Sequence, residues 1–250
     1  MSLDGTSNSA VEPAAGLSQV ERVVDAFVSP SKTFTDILRN TSWWLPFLLA
    51  VVMSIAGAVV IDKQVGFATV VQNTMHDSPK QEEKLAGLEP NQRAAQLHGM
   101  SIVYRYTTYA SPIFILLITA IGSLVLWASF NFVLGAQTTY GQMFAVWMYA
   151  SLPRLLSSVL MMITLLFGGN AEAFNAKNPV GTNLGFYLPD AALWLRTLLG
   201  FFDVIGIWVL VLMVIGTAIV AKVKRGQAIA VVVGWWALVL ILSVGIAAVS

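Results

Sequence analysis

Five stretches of this chain, roughly 44–61, 112–134, 142–167, 198–221 and 227–249, are apolar almost without interruption. About 20 helical residues cross a ~30 Å hydrocarbon core, so each stretch is long enough to span a bilayer or nearly so. Lipid offers no partner for an unpaired backbone N–H or C=O, and an apolar segment satisfies its own groups there as a helix. The chain is therefore expected to be all-α: a polytopic integral membrane protein, a bundle of five transmembrane helices with flanking amphipathic helices. Composition agrees, with 57% hydrophobic and 11% charged residues and a mean hydropathy of +0.74. Soluble domains are roughly 45–50% apolar and about 25% charged.

The remaining chain divides unevenly. Residues 1–16, MSLDGTSNSAVEPAAG, are small and polar and are expected to form a disordered tail. They lack the basic start and apolar core of a cleaved signal peptide. Over 17–43, Leu17, Val20, Val24 and Phe27 recur at helical spacing. Ser29-Pro30 then opens a second helix carrying Phe34, Ile37 and Leu38. This segment is expected to lie along the inner interface as an amphipathic pair or to pack against the loops of the bundle. Over 62–111, Ser78-Pro79 and Glu89-Pro90 are further helix starts, which predicts an extramembrane helical hairpin whose second arm runs into the second span near Pro112. The links GAQTTYG and KVKRG are short and force antiparallel neighbours.

Orientation rests on flanking charge. With the N-terminus inside, the inner side carries Arg22, Lys32, Arg39, Lys222, Lys224 and Arg225. The outer side carries Lys63, Lys80, Lys84, Arg93, Arg105, Lys177 and Arg196. The totals are nearly equal, but short loops weigh most, and three of the inner cations fall within KVKR. A multi-pass inner-membrane protein with N-terminus cytoplasmic and C-terminus outside is expected. Trp43, Trp44 and Tyr140 would mark one water boundary, and Tyr104, Tyr106, Tyr109 and Trp194 the other.

Several chemistries are disfavoured. A net charge of +1 argues against a nucleic-acid partner. The absence of cysteine removes disulfides, thiolate metal sites and cysteine nucleophiles. The only histidines, His76 and His98, lie in the long loop, so an intramembrane serine protease lacks its base. His76, Asp77, Glu82, Glu83 and His98 match no metal-ligand spacing and read as a solvated charged face. Glu82-Glu83 resembles the start of a membrane prenyl-protein protease motif, but Gly87 stands where an arginine is required. No enzymatic activity, cofactor or metal is expected.

The polar residues inside the spans hold the functional interest. MYASLPRLL places Arg154 directly after Pro153, and FFDVIG places Asp203 in the fourth stretch. An arginine at the bilayer centre costs about 2.5–3.5 kcal/mol on insertion scales and usually faces a partner inside the bundle. At ~1.5 Å per residue, Arg154 lies about 18 Å from the inner face and Asp203 about 20 Å. An Arg154–Asp203 pair at the midplane is the expectation. Ser151 and Ser158 share the face of Arg154, and Pro153 frees a carbonyl near Tyr149 and predicts a kink. The candidate intramembrane polar centre is thus Arg154, Asp203, Tyr149, Pro153, Ser151 and Ser158. It suits structural glue between helices, a solute or proton path, or a partner- or lipid-binding site.

FVSPSKTFTDIL before WWLPFLL, then MYASLPRLL, then FFDVIGIWVLVLMVIG with a basic turn and a last span, together resemble the Ypt-interacting protein (Yip) family in its bacterial branch. The likeness runs from about Phe27 to the C-terminus. Tyr149 and Pro153 match the tyrosine and proline of that family's third-span motif, with Met148 where a glycine is usual. The aspartate–leucine–tyrosine–glycine–proline motif of eukaryotic members is missing, so their binding to Rab-type GTPases is not carried over. The resemblance implies five spans, a cytoplasmic N-terminus and no enzymatic activity. The function expected is the organisation of membrane or membrane-protein partners: the lipid bilayer, other membrane proteins or a second copy. The alternative is a small-solute or proton transporter using the Arg154–Asp203 centre.

Overall fold

A computed structural model describes residues 16–76, 79–168 and 174–249. The expected disordered tail, apart from Gly16, lies outside the described residues. Helices carry the fold, and no strand occurs among the described residues. In order they are α1 (Gln19–Val28), α2 (Pro30–Ile37), α3 (Trp44–Gln64), α4 (Phe67–His76), α5 (Pro79–Ala86) and α6 (Pro90–Tyr109). These are followed by α7 (Ser111–Ala128), α8 (Tyr140–Ala150), α9 (Arg154–Phe167), α10 (Leu193–Gly200), α11 (Val204–Ala221) and α12 (Arg225–Val249). A π-helical turn, Ser129–Val133, continues α7, and a 3-10 turn, Leu184–Tyr187, precedes α10.

Five helices have the length and hydropathy of membrane spans: Trp44–Gln64, Ser111–Val133, Tyr140–Phe167, Val204–Ala221 and Arg225–Val249. The first three and the fifth lie within three residues of their expected bounds at each end. The fourth starts six residues later than expected, because LLGFFD does not continue the helix: α10 stops at Gly200 and α11 restarts at Val204.

The helix starts follow from local chemistry. Ser18 caps α1 in a reciprocal box with Glu21, the Ser18 Oγ accepting from Glu21 N at 3.2 Å and Ser18 N donating to Glu21 Oε2 at 2.7 Å. Pro30 occupies the first turn of α2, where its missing N–H costs nothing. Thr139 and Gln142 form a second box at the start of α8. Between α7 and α8, Asn131 holds Thr138 through both its side-chain amide and carbonyl, and the Trp127 indole donates to Thr138 O at 3.0 Å.

The main core lies where α2, α8 and α11 meet. Phe34, Ile37, Phe130, Met143, Tyr149 and Leu212 are all buried there. Close approach is made possible by glycine: a Cβ on Gly216 would stand 2.8 Å from the Phe34 ring and from Val146, and one on Gly122 would stand 2.2 Å from the Trp147 ring. Span four is half buried within the chain, whereas span five is only 6% buried. At the opposite end, three helices rather than two fill 62–111. α4 packs on α6 and α5 on α4, and Asp62 at the end of α3 ties this cap down. It pairs with Arg105 at 3.0 Å and accepts from the Tyr109 hydroxyl at 3.1 Å.

Candidate functional site

The third span breaks where expected. Pro153 lacks an N–H, and Ser151–Pro153 leave the helix between α8 and α9. The turn closes with tight bonds from Arg154 N to Ser151 O (3.0 Å), Leu155 N to Leu152 O (3.0 Å) and Leu156 N to Pro153 O (2.9 Å). The first amides of α9 are therefore already used, and Pro153 itself is buried.

The fourth span breaks as well, through Asp203. Its side chain caps α11, accepting from Gly206 N at 2.6 Å, and Thr182 Oγ1 donates to its other oxygen. Thr182 O in turn accepts from Val204 N at 3.1 Å, so the loop before the 3-10 turn is folded against the break. Asp203 is thus an N-cap rather than a residue inside a continuous helix. The depth assigned to it from an unbroken count does not apply.

Arg154 and Asp203 feel each other's charge, but among the described residues no ion pair joins them. The Asp203 carboxylate is occupied by Gly206 and Thr182. Arg154 is exposed although it lies on the same face of α9 as Ser158, Met161 and Leu165, of which Leu165 is buried and Met161 packs near Gly57 of α3. The outward stripe of α9 is instead Leu156, Leu160, Ile163 and Phe167. Arg154 is therefore exposed at the break, with Ser158, half-buried, one turn along.

Tyr149 is not part of that group. It is fully buried, and its hydroxyl donates to Gln19 Oε1 at 3.0 Å with Ser42 O also in reach at 3.2 Å. This places it in a second polar cluster, away from the break of span three. Arg22, also fully buried, grips Asp36 through Nε and Nη2 at 2.5 Å each and reaches Asp36 O and Ser42 O. Arg39 takes the other Asp36 oxygen at 2.9 Å, and Thr33 donates to Arg22 O at 2.8 Å. Burial pushes the Asp36 carboxyl up, but the hydrogen bonds and charges of Arg39 and Arg22 outweigh this and hold it below the usual carboxylate range. The Glu21 carboxyl is likewise lowered, first by the Ser18 backbone amide and then by its hydroxyl. The signal missed in the sequence is the spacing of Arg22 and Ala26, which puts an arginine on the buried stripe of α1.

The six candidate residues therefore fall into two places. Ser151, Pro153, Arg154 and Ser158 stand at the break of span three, with Asp203 at the facing break of span four. Tyr149 turns toward the N-terminal hairpin. Among the described residues, no three histidine, aspartate or glutamate side chains are grouped to hold a metal ion.

A family model for the Yip1 domain matches residues 24–246. No curated protein matches the chain, and no solved structure does.

Proposed function

The chain belongs to the Yip1 domain family of multi-pass membrane proteins, and on that premise we propose a non-enzymatic inner-membrane protein that organises lipid or membrane-protein partners. The observation that carries this reading is where the buried polar groups are engaged. Arg22, Asp36 and Tyr149 fasten α1 and α2 to the bundle, and Asp203 starts a helix. These bonds hold the scaffold together, while span five offers a long apolar face for lipid or another helix. A cytoplasmic N-terminus is supported by Lys222, Lys224 and Arg225 in the tight turn between α11 and α12.

One observation favours a second reading. Spans three and four are both discontinuous, and an exposed Arg154 stands at one break within the field of Asp203 at the other. Broken helices around a polar site are how transporters build a solute path. The cysteine-free chain allows a direct test: single cysteines at Ser151, Ser158 or Gly206, exposed to membrane-impermeant thiol reagents from each side. Protection at all three positions, with loop controls labelled, is expected for the organising scaffold. Labelling would replace it with the transport reading.

A further inference from the structure

The cap formed by α4, α5 and α6 contains two adjoining cavities that share Met75. The first, about 370 Å³, is lined mainly by apolar or neutral side chains, among them Val71, Met75, Met100, Val103 and Tyr104. The second, about 280 Å³, is lined by Gln72, Met75, Leu85 and Leu97 but also by Glu82 and Arg93. Their order along α6 is informative. Arg93 lies near the start of the helix, about 24 Å along it from the other end at Tyr109. Thr107, at the other end of the apolar cavity, lies one turn from Ser111, where span two begins. The pair of cavities thus runs from apolar beside the membrane to charged away from it, the same gradient that a lipid follows from tail to headgroup.

Two further features favour an occupant. Gly99 lines the apolar cavity, and a Cβ there meets nothing within 4 Å, so the groove floor is open at its middle. Val103, which lines the apolar cavity, is 62% exposed although it lies outside any membrane-spanning segment. Apolar surface of this kind beside a bilayer is stabilised by an acyl chain.

We propose that the cap binds a phospholipid drawn from the adjoining leaflet, its acyl chain along Val71, Met75, Met100 and Val103 and its anionic headgroup at Arg93. This goes beyond the reading of the bundle as a scaffold and does not depend on whether water reaches Arg154.

The test uses the full chain in phosphatidylcholine vesicles containing a few per cent of phosphatidylglycerol with a photoreactive diazirine in its acyl chain. After illumination, adducts are mapped by mass spectrometry. Adducts on Met75, Met100 or Val103 are expected. They should fall at least several-fold in Gly99→Phe, while those on the outward face of span five, at Leu238 and Leu242, persist and report an intact fold. Arg93→Gln should bring capture of phosphatidylglycerol down to that of a phosphatidylcholine probe. Adducts confined to the spans, or cap adducts that survive Gly99→Phe, would overturn the site. Equal capture of both headgroups by the unaltered chain would overturn the role of Arg93. Preferential capture of a free fatty-acid probe would overturn the bilayer as the source.

Discussion

The Tyr149 hydroxyl donates to Gln19 Oε1 at 3.0 Å, joining the end of α8 to the first residue of α1 across 130 positions of sequence. Ser42 O, just before span one, lies within reach of the same hydroxyl and of Arg22. Three elements thus meet at one phenol. Tyr149→Phe removes the hydroxyl and leaves the ring in place. A net loss of about 1 kcal/mol is expected, read as a lower unfolding midpoint in detergent with faster proteolysis near residues 17–43. Unchanged protease resistance would show that the bond does not hold the hairpin.

Arg22 and Asp36 should respond unequally to removal. Asp36→Ala leaves a fully buried guanidinium without its counterion, a loss of roughly 3–5 kcal/mol. Arg22→Met leaves Asp36 still bonded to Arg39 and should cost less. The double variant Arg22→Met/Asp36→Leu should regain most of the stability lost in Asp36→Ala, as paired groups in contact are not additive. Thermal unfolding of the four proteins checks this, and equal single losses, or a double variant no more stable than Asp36→Ala, would refute it.

Acid should loosen the same hairpin. The folded-state pKa of Asp36 lies below its unfolded value, so its contribution is complete above the unfolded pKa near about pH 4 and is lost as pH falls through the lower folded value. Hydrogen exchange over residues 19–37, taken relative to the intrinsic amide rate at each pH, should rise below about pH 4 in the natural chain. In Arg22→Met/Asp36→Leu that rise should be absent.

Gly216 is expected to tolerate no side chain. A Cβ would press on Phe34 and Val146 at 2.8 Å, and such overpacking typically costs about 1–3 kcal/mol. Gly216→Ala should therefore lower the unfolding midpoint, and adding Phe34→Leu should restore part of it. A neutral Gly216→Ala would mean that α2 shifts freely on α11.

Asp203→Ala should cost about 1 kcal/mol through loss of the α11 cap, while Asp203→Ser, which can also accept from an amide, should retain most of the stability. Equal losses would point to the charge rather than the cap, and so toward Arg154.

Much of this architecture was legible because lipid imposes a simple rule. A run of apolar residues long enough to cross must be a helix, and Pro153 has only one way to act within it. The break at Phe201–Asp203 leaves little trace in the sequence, because LLGFFDVIG is nearly as apolar as its surroundings; its one signal is an aspartate three residues before Gly206. In the sequence Arg22 stands only as one of the inner-side cations, and nothing marks Asp36 as its partner. Local periodicity describes one helix at a time, and their pairing depends on how α1 folds back on α2 and how both meet α8 and α11. Asp203 illustrates the same limit: sequence depth suggested Arg154 as its partner, but a nearer threonine and an amide engage it.

The docking of α1 and α2 also dictates an order of biogenesis. This hairpin leaves the ribosome well before span four, yet Phe34 rests against Gly216 and Phe27 packs edge-on against Trp208, both in the fourth span. Its seat is therefore incomplete until span four has been synthesised and inserted. Until then Arg22 and Asp36 have each other and, once span three is in place, Tyr149 nearby, but the faces of α2 that meet α11 remain uncovered. A segment made before its seat must wait for it, which exposes it to chaperones, proteases and premature membrane contact during synthesis.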